Sequence, residues 1–277
     1  IIHLSDSHAG GPAEDWQAYF DKRWVGVFNY RFRRKFQHDQ SLLARAVAWL
    51  LADPPDLVVC TGDITSTGQP GEFAAALTVL EPLIQATTIP LIFVPGNHDY
   101  YVHHPRCVAA MKDAVRRINR NRFGFDDLPL RCTSGELELL VINNSRPSNL
   151  LASWGFLDPE TSRKVVEWCA GPKTRPRVLI GHYPLIERHP LLRFRHRLYG
   201  QREVRRLLEA GAIDLSLCGH QHRPDAFLDH RGRGEICAGS ITRSACLAEI
   251  VYDRPQDIFS YRRLAFCDDQ PHPRPQS

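Results

Sequence analysis

Long apolar runs are missing from this sequence of 277 residues. No run approaches the roughly eighteen apolar residues that a transmembrane helix needs. No signal peptide is visible, and because the chain opens at Ile1 inside an apolar run without a Met, we expect a short N-terminal segment to have been lost. The composition, 43% hydrophobic and 24% charged residues, is typical of a soluble globular protein.

Closely paired cysteines are missing as well. The chain has eight cysteines, and no two of them form a Cys-x-x-Cys pair. Cys60 and Cys218 lie inside apolar runs, where a buried thiol is the usual interpretation. This pattern argues against a zinc finger and against a disulfide framework, and it predicts a reducing compartment such as the cytoplasm. The net charge of +4 says little about partners.

Five short apolar runs end in residues that bind metals well. The clearest is Leu91-Ile92-Phe93-Val94, which predicts a buried parallel strand and is followed by a Pro-Gly turn and then by Asn97 and His98. The other four runs end in Asp6 and His8, in Asp63, in His182, and in His220 and His222. Because ligand sites in α/β sheets form at the carboxyl ends of strands, we expect these side chains to meet.

About seven oxygen and nitrogen ligands gathered in this way are too many for one ion and suit two. Imidazole and carboxylate without thiolate favour a first-row transition metal, so Mn²⁺, Fe and Zn²⁺ all fit. Two such ions, about 3.5–4 Å apart, hold the attacking and leaving oxygens of an in-line displacement at phosphorus.

The order of these motifs resembles the calcineurin-like metallophosphoesterase family. From Asp6 to His222 the chain reads Asp-x-His, Gly-Asp, Gly-Asn-His-Asp, Gly-His and Gly-His-x-His. The resemblance implies an α/β fold, a four-layer αββα sandwich of two mixed sheets between helices. We expect one such domain over residues 1–267, with an aromatic and basic insert at about 11–40, and a disordered tail over 268–277.

The resemblance also implies a role for each motif residue. Asp6, His8 and His222 would hold one divalent metal, Asn97, His182 and His220 the other, and Asp63 would bridge them. A water activated between the metals, most simply two Mn²⁺, would attack phosphorus. His98 would not be a ligand; it would face the substrate phosphate as a catalytic residue. Asp99 is expected to orient a neighbour.

Aromatic and basic residues alternate between residues 16 and 36 and again between 191 and 199. Such segments suit an anionic membrane surface or an acidic amphiphile, and they also suit stacking on nucleic acid. A further interpretation is a helical hairpin whose aromatic residues pack on the body of the protein. If the segments bind substrate, the candidate residues are Arg23, Trp24, Arg193 and Arg195.

Differences from the sequence patterns of known subfamilies reduce the number of candidate substrates. The segment after Gly62-Asp63 lacks the Asp-Arg-Gly of protein serine/threonine phosphatases, and the general pattern is similar to class III cyclic nucleotide phosphodiesterases. The segment Lys22-Arg23-Trp24-Val25-Gly26 resembles the chlamydial type of UDP-2,3-diacylglucosamine pyrophosphatase, whose products are UMP and lipid X. The more widespread enzyme for that step typically has Arg at the position of His98.

The sequence therefore predicts a metal-dependent hydrolase of a small phosphoester, with an acylated nucleotide sugar as the first candidate. That substrate would place the enzyme at the inner face of the membrane. A cyclic AMP phosphodiesterase, a nuclease and a non-catalytic metal-binding scaffold remain as alternatives. Nothing in the sequence indicates that bases are read, so we expect no specific nucleic-acid partner.

Overall fold

Two six-stranded sheets form the centre of the protein, as seen in a computed structural model that describes residues 1–32, 37–147, 153–186, 197–267 and 272–276. The first sheet has the spatial order β14 (Arg274–Gln276), β13 (Ile258–Ala265), β12 (Cys246–Asp253), β1 (Ile2–Leu4), β2 (Val58–Cys60) and β3 (Leu91–Phe93). The second has the order β10 (Asp225–Leu228), β11 (Gly234–Cys237), β9 (Leu215–Cys218), β7 (Arg177–Ile180), β5 (Leu137–Val141) and β4 (Leu130–Ser134).

Both sheets are mixed, with their parallel strands at the positions that matter for the site. In the first sheet β1, β2 and β3 run parallel, and β12 pairs antiparallel with β1. In the second sheet β11, β9, β7 and β5 run parallel, and the edge strands β10 and β4 pair antiparallel. Two short strands, β6 (Gly155–Phe156) and β8 (Leu198–Tyr199), form a separate parallel pair.

Helices cover the outer faces of the two sheets. The α-helices are α1 (Arg23–Phe32), α2 (Ser41–Ala52), α3 (Pro70–Gln85), α4 (Pro105–Ile118), α5 (Pro159–Ala170), α6 (Arg202–Glu209) and α7 (Ile241–Ser244). Residues of α2, α3 and α4 share one core cluster with the first sheet, while residues of α5 and α6 share another with the second sheet. Among the described helices, none combines the length and the apolarity needed to cross a membrane.

Strand alternation explains the four layers. In β2, Val58 belongs to the core beneath α2, α3 and α4, whereas Val59 belongs to the core between the sheets. In β5, Leu139 lies between the sheets and Leu140 packs towards α5 and α6. Because successive side chains of a strand point to opposite faces, strands covered on both sides must be apolar at every position. The predicted αββα sandwich is confirmed.

The structure of the C-terminal tail differs from the prediction. Disorder was expected over residues 268–277, but Arg274–Gln276 pair antiparallel with β13 as the edge strand of the first sheet. An edge strand offers unpaired backbone groups, so a short extended segment can bind there even though it lacks apolar side chains. The rest of the tail, apart from residues 272 and 273, lies outside the described residues.

The insert folds as a short 3-10 helix (Trp16–Tyr19) followed by α1. Among the described residues of the insert, the ring of Tyr30 packs against Gly10, but most aromatic side chains do not pack on the body as the helical-hairpin interpretation required. Trp16, Phe20 and Phe28 are 71%, 81% and 55% exposed. The buried positions of α1 are Arg23 and Gly26. The helix therefore approaches the body through Arg23, Gly26 and the ring of Tyr30, and it leaves Trp24, Phe28 and Phe32 exposed.

Candidate metal centre

The loops that carry the predicted ligands come from both sheets and are tied together by backbone hydrogen bonds. The Asp6 N–H donates to the Gly62 carbonyl at 2.9 Å, and the Gly219 N–H donates to the His182 carbonyl at 2.9 Å. Between the sheets, the His220 N–H donates to Asp6 Oδ2 at 3.1 Å. The carboxyl ends of the parallel strands thus meet at one edge of the sandwich, as the sequence predicted.

One cluster at this edge contains Asp6, His8, Asp63 and His222, whose ligand atoms lie within 4.8 Å of one another. The two Nε2 atoms of His8 and His222 are 3.0 Å apart. His222 Nε2 lies 3.3 Å from Asp6 Oδ1, and His8 Nε2 lies 3.8 Å from Asp63 Oδ2. Two imidazole nitrogens and two carboxylate oxygens therefore converge on one point.

A second cluster contains Asp63, His182 and His220, and again the ligand atoms lie within 4.8 Å. His182 Nε2 is 3.4 Å from Asp63 Oδ2. The amide oxygen of Asn97 lies 3.1 Å from His182 Nε2 and 2.9 Å from His220 Nδ1. Asp63 is the residue that the two clusters share.

The residues fit two divalent cations. Asp6 Oδ1 and Asp63 Oδ2 are buried carboxylate oxygens without a hydrogen-bond partner among the described atoms. A buried carboxylate oxygen left without a partner is costly, and a cation held between it and the nearby imidazoles removes that cost. The donor set, carboxylate, amide and imidazole without thiolate, is one that binds first-row divalent metals.

The backbone orients the imidazole rings. Nδ1 of His8 lies 3.1 Å from the Thr65 carbonyl, and Nδ1 of His182 lies 2.6 Å from the Thr61 carbonyl. A carbonyl only accepts, so each Nδ1 carries a proton and donates it. In the neutral ring Nε2 then has its lone pair directed at the cluster, which is the arrangement that metal-binding histidines use.

Five of the seven predicted ligands have left-handed backbone conformations. They are Asp6, His8, Asp63, His220 and His222, with φ angles between 49° and 67°. Residues with a Cβ rarely adopt this conformation, and it costs about 1–3 kcal/mol each. Close packing holds the loops in place: a Cβ on Gly96 would lie 2.1 Å from Asp63 Oδ1.

His98 lies beside the clusters rather than in them. Its backbone N–H donates to Asp63 Oδ1 at 2.7 Å, and its ring Nδ1 donates to the Ser66 carbonyl at 2.6 Å. The ring stacks on Tyr101, with centroids 5.2 Å apart and an interplanar angle of 17°. With the proton fixed on Nδ1, proton exchange with a substrate has to occur at Nε2.

The charges of the centre support one another. Burial raises the pKa of Asp6, but the neighbouring imidazoles of His222 and His8 outweigh burial and hold that pKa well below its usual value. Burial lowers the pKa of His182, but the negative charge of Asp63 outweighs it and raises the pKa to about 9. The carboxylates and the imidazoles of the centre therefore stabilise one another's charged forms.

Asp99 orients the loops. Its Oδ1 accepts from the Thr65 N–H and Oγ1, both at 2.9 Å, and its Oδ2 accepts from the Gly96 N–H at 2.9 Å. Burial, followed by the charge of Asp63, raises the Asp99 pKa to about 7. The hydrogen bonds agree with the predicted orienting role.

The predicted substrate residues behave differently from one another. Arg23 is fully buried, and its guanidinium forms ion pairs with Asp15 at 2.9 Å and Asp21 at 2.8 Å. The prediction that Arg23 binds substrate is therefore wrong, because its charge is already paired inside the insert. Trp24 is 48% exposed and stays a candidate. Arg193 and Arg195 lie outside the described residues.

Sequence reasoning missed a sixth loop at the same edge. Asn144 follows β5, and its side-chain oxygen accepts from the backbone N–H groups of His182 at 3.0 Å and Tyr183 at 3.1 Å. Arg146 follows two residues later. A polar segment directly after the apolar run 137–142 was the available signal, since it repeats the pattern of the other five runs.

Comparison with known proteins places this geometry in a family. A family model described as calcineurin-like phosphoesterase matches residues 1–224. A cAMP/cGMP dual specificity phosphodiesterase of Mycobacterium tuberculosis is 24% identical over 231 residues, which cover 80% of this chain and 61% of that protein. A glycerophosphodiester phosphodiesterase of Enterobacter lignolyticus is 45% identical over 49 residues, 18% of this chain and 16% of that protein. The chain thus spans less than two thirds of either relative.

Solved structures share the fold. A dimetal phosphatase from Danio rerio superimposes with a TM-score of 0.58 at 13% identity, covering 97% of this chain and 92% of that one. A purple acid phosphatase from seeds of yellow lupin, Lupinus luteus, gives a TM-score of 0.56 at 12% identity over 95% of this chain and 48% of that one.

Proposed function

Because the chain belongs to the calcineurin-like phosphoesterase family and is a metal-dependent phosphoester hydrolase, we propose that it hydrolyses UDP-2,3-diacylglucosamine to UMP and lipid X. The substrate is an anionic pyrophosphate that carries two acyl chains. Its hydrolysis requires a dimetal centre for the phosphorus and an apolar surface for the acyl chains.

The observation that carries the proposal is an apolar cavity of about 500 Å³ in the insert. Its walls are formed by residues 11–13 and by aromatic and aliphatic side chains of the insert, namely Tyr19, Trp24, Val27, Phe28, Tyr30 and Phe32, together with Arg31. A cavity of this size and composition is typical of sites for small apolar ligands.

The helix that lines the cavity packs close to the metal centre. A Cβ on Gly26 of α1 would lie 2.3 Å from Thr67 Cγ2 and 3.3 Å from Tyr101 Oη, so α1 packs directly on both residues. Tyr101 in turn stacks on His98. At the other end of the cavity, the ring of Tyr30 lies against Gly10, two residues after His8. An acyl chain in the cavity would thus leave its head group close to the clusters.

The outer face of the insert suits a lipid surface. Trp16, Tyr19 and Phe20 are each more than 60% exposed, and Phe28 and Phe32 are each more than half exposed. Amphipathic segments that carry aromatic and basic side chains bind the interface of anionic membranes. We propose peripheral contact with the inner face of the membrane, which is where an acylated nucleotide sugar would be presented.

The proposed ligand assignment follows the two clusters. Asp6, His8 and His222 would hold one cation, Asn97, His182 and His220 would hold the other, and Asp63 would contribute to both sites. When bound, the two metals, for which we propose Mn²⁺ with Fe or Zn²⁺ as alternatives, activate water and neutralise phosphoryl charge. His98 donates a proton from Nε2 to the departing oxygen, a task suited to an imidazole with an ordinary pKa of about 6.5.

One relative supports a second candidate function. The similar protein from M. tuberculosis acts, by its name, on cAMP and cGMP, and the match covers 80% of this chain. A cyclic nucleotide phosphodiesterase would use the same metal centre and would leave the apolar cavity without a role.

Turnover of the two substrates separates the candidates. Protein loaded with Mn²⁺ is offered UDP-2,3-diacylglucosamine in detergent and, separately, cyclic AMP, and products are followed by phosphorus NMR. We expect UMP from the lipid nucleotide and no opening of cyclic AMP. Opening of cyclic AMP with the lipid untouched would overturn the proposal in favour of the second candidate.

A charged substitution in the cavity tests whether the cavity binds an acyl chain of the substrate. Phe28→Glu places a charge in the acyl site, and since burial of a Phe side chain is worth about 1.5–3 kcal/mol, kcat/KM on the lipid nucleotide should fall by about tenfold or more. Hydrolysis of bis(p-nitrophenyl) phosphate, which has no acyl chain, should not change. The matched control is Val166→Glu, at a 37% exposed position of α5, which should affect neither substrate.

A further inference from the structure

The guanidinium of Arg146 lies over two aromatic rings. Its central carbon is 3.9 Å from the ring centroid of Trp154 and 4.4 Å from that of Phe156. Trp154 and Phe156 are two residues apart in an extended segment, so both side chains lie on one face. Contacts of this kind attract the cation to the ring faces and favour one orientation of the planar group.

The clamp formed by Arg146, Trp154 and Phe156 is attached to the metal centre. The Phe156 N–H donates to the Asn144 carbonyl at 3.0 Å, and the side chain of Asn144 accepts from the backbone of His182. A Cβ on Gly155 would lie 2.5 Å from the ring of Tyr183, so the strand that carries the clamp packs on Tyr183. The Tyr183 ring lies against that of His220, with centroids 4.2 Å apart.

The charge of Arg146 has no counter-ion in the part of the chain that the structure describes. No carboxylate there forms an ion pair with it, and burial lowers its pKa. Burial of a cation is costly unless the charge is paired, and aromatic faces offset only part of that cost. An anion bound beside the metal centre would pair with it.

We infer that Arg146 binds the phosphoryl group of the substrate that the metals do not hold. A guanidinium presents a planar fork of N–H donors that matches two phosphoryl oxygens, and the aromatic rings fix the fork without using those donors. The inference rests on the proposed function in one respect, that the substrate contains two linked phosphoryl groups. Arg146 would then select pyrophosphates over simple phosphoesters.

Binding of two nucleotides that differ by one phosphoryl group tests this role. The Mn²⁺-loaded protein is titrated calorimetrically with UMP and with the α,β-methylene analogue of UDP, which cannot be cleaved at the bridge. Arg146→Gln should lower the affinity for the methylene analogue by about tenfold to a hundredfold, which is the range expected for the loss of hydrogen bonds to a charged group. UMP affinity should change by less than about threefold, since the metals hold its phosphate.

Two further variants separate binding from structure. Arg146→Lys keeps the charge and the aromatic contact but loses the fork, so its affinity for the methylene analogue should lie between those of wild type and Arg146→Gln. Arg163→Gln removes an exposed arginine that pairs with Glu167 on α5 and should change nothing. Thermal melts of all variants should match, because a merely structural role would show as lost stability.

The binding experiment can refute the role of Arg146 independently of the proposed substrate. Equal losses for UMP and the methylene analogue, or no loss at all, would overturn the role of Arg146. So would a wild-type protein that binds the methylene analogue no more tightly than UMP. A selective loss, found in a protein that fails to cleave the lipid nucleotide, would support the Arg146 site and refute only the proposed substrate.

Discussion

At the scale of single residues, the metal centre places strain where function is expected. Asp6, His8, Asp63, His220 and His222 all have positive φ angles. Each conformation aims a side chain inwards from a loop that an ordinary turn would direct elsewhere. Such backbone states persist only where the surroundings impose them, and here the close contacts of Gly62, Gly96 and Gly219 do so. Close packing of the loops therefore contributes to the shape of the centre.

His98 provides the sharpest residue-scale prediction. His98→Ala removes the proposed proton donor and none of the atoms of either cluster, so both metals should remain while kcat falls by about 10²–10⁴-fold. Turnover of bis(p-nitrophenyl) phosphate and metal content by mass spectrometry measure the two effects. His103→Ala, at an exposed position of the same loop, is the control. Loss of metals together with activity would show that His98 has been misassigned.

The motif residues could be predicted from the sequence, and the clamp could not. Asp63 or His182 follows an apolar run directly, so chain order alone places it at a strand end. Arg146 depends on rings that come eight and ten residues later, on a strand too short to show a pattern. Arg23 was misinterpreted because an arginine inside a charged segment looks the same whether it is solvated or, as here, paired with Asp15 and Asp21.

At the scale of elements, the apolar runs predicted the central strands well. The run over residues 91–94, predicted as a buried parallel strand, contains β3 (Leu91–Phe93), which pairs parallel with β2. The insert was harder to predict, because α1 contacts the body through Arg23, Gly26 and Tyr30 rather than through an apolar stripe. The pairing of Arg274–Gln276 at the edge of the sheet could not be predicted from side chains, because backbone groups form its hydrogen bonds.

Arg23 should be the anchor of the insert. It links Asp15 before the 3-10 helix, Asp21 before α1, and Cys107 of α4, whose sulfur lies 3.6 Å from the guanidinium. Arg23→Met should leave two carboxylates unpaired and open α1, at a cost of about 1–3 kcal/mol. Hydrogen exchange of residues 16–32 should accelerate while the strands keep their protection. Arg31→Met, on the exposed surface of the same helix, should exchange like wild type; equal acceleration in both variants would contradict the anchoring role.

At the scale of the whole molecule, the site exists because two sheets present their carboxyl edges together. The order of motifs indicated the sandwich through resemblance to a family, and the structure supplies the physical reason. Strands β1, β2 and β3 of one sheet and β7 and β9 of the other each end at the clusters. The hydrogen bond from the His220 N–H to Asp6 Oδ2 joins the two sheets at that point. Neither half of the chain holds a complete site.

The central claim, a two-metal centre bridged by Asp63, is tested most directly by metal stoichiometry. Protein reconstituted with Mn²⁺ and freed of excess metal should contain two ions per chain and hydrolyse bis(p-nitrophenyl) phosphate. Asp63→Asn, which keeps the shape and removes the bridging charge, should contain at most one ion and lose activity. Full activity with a single bound metal, or two tightly held metals in Asp63→Asn, would contradict the account.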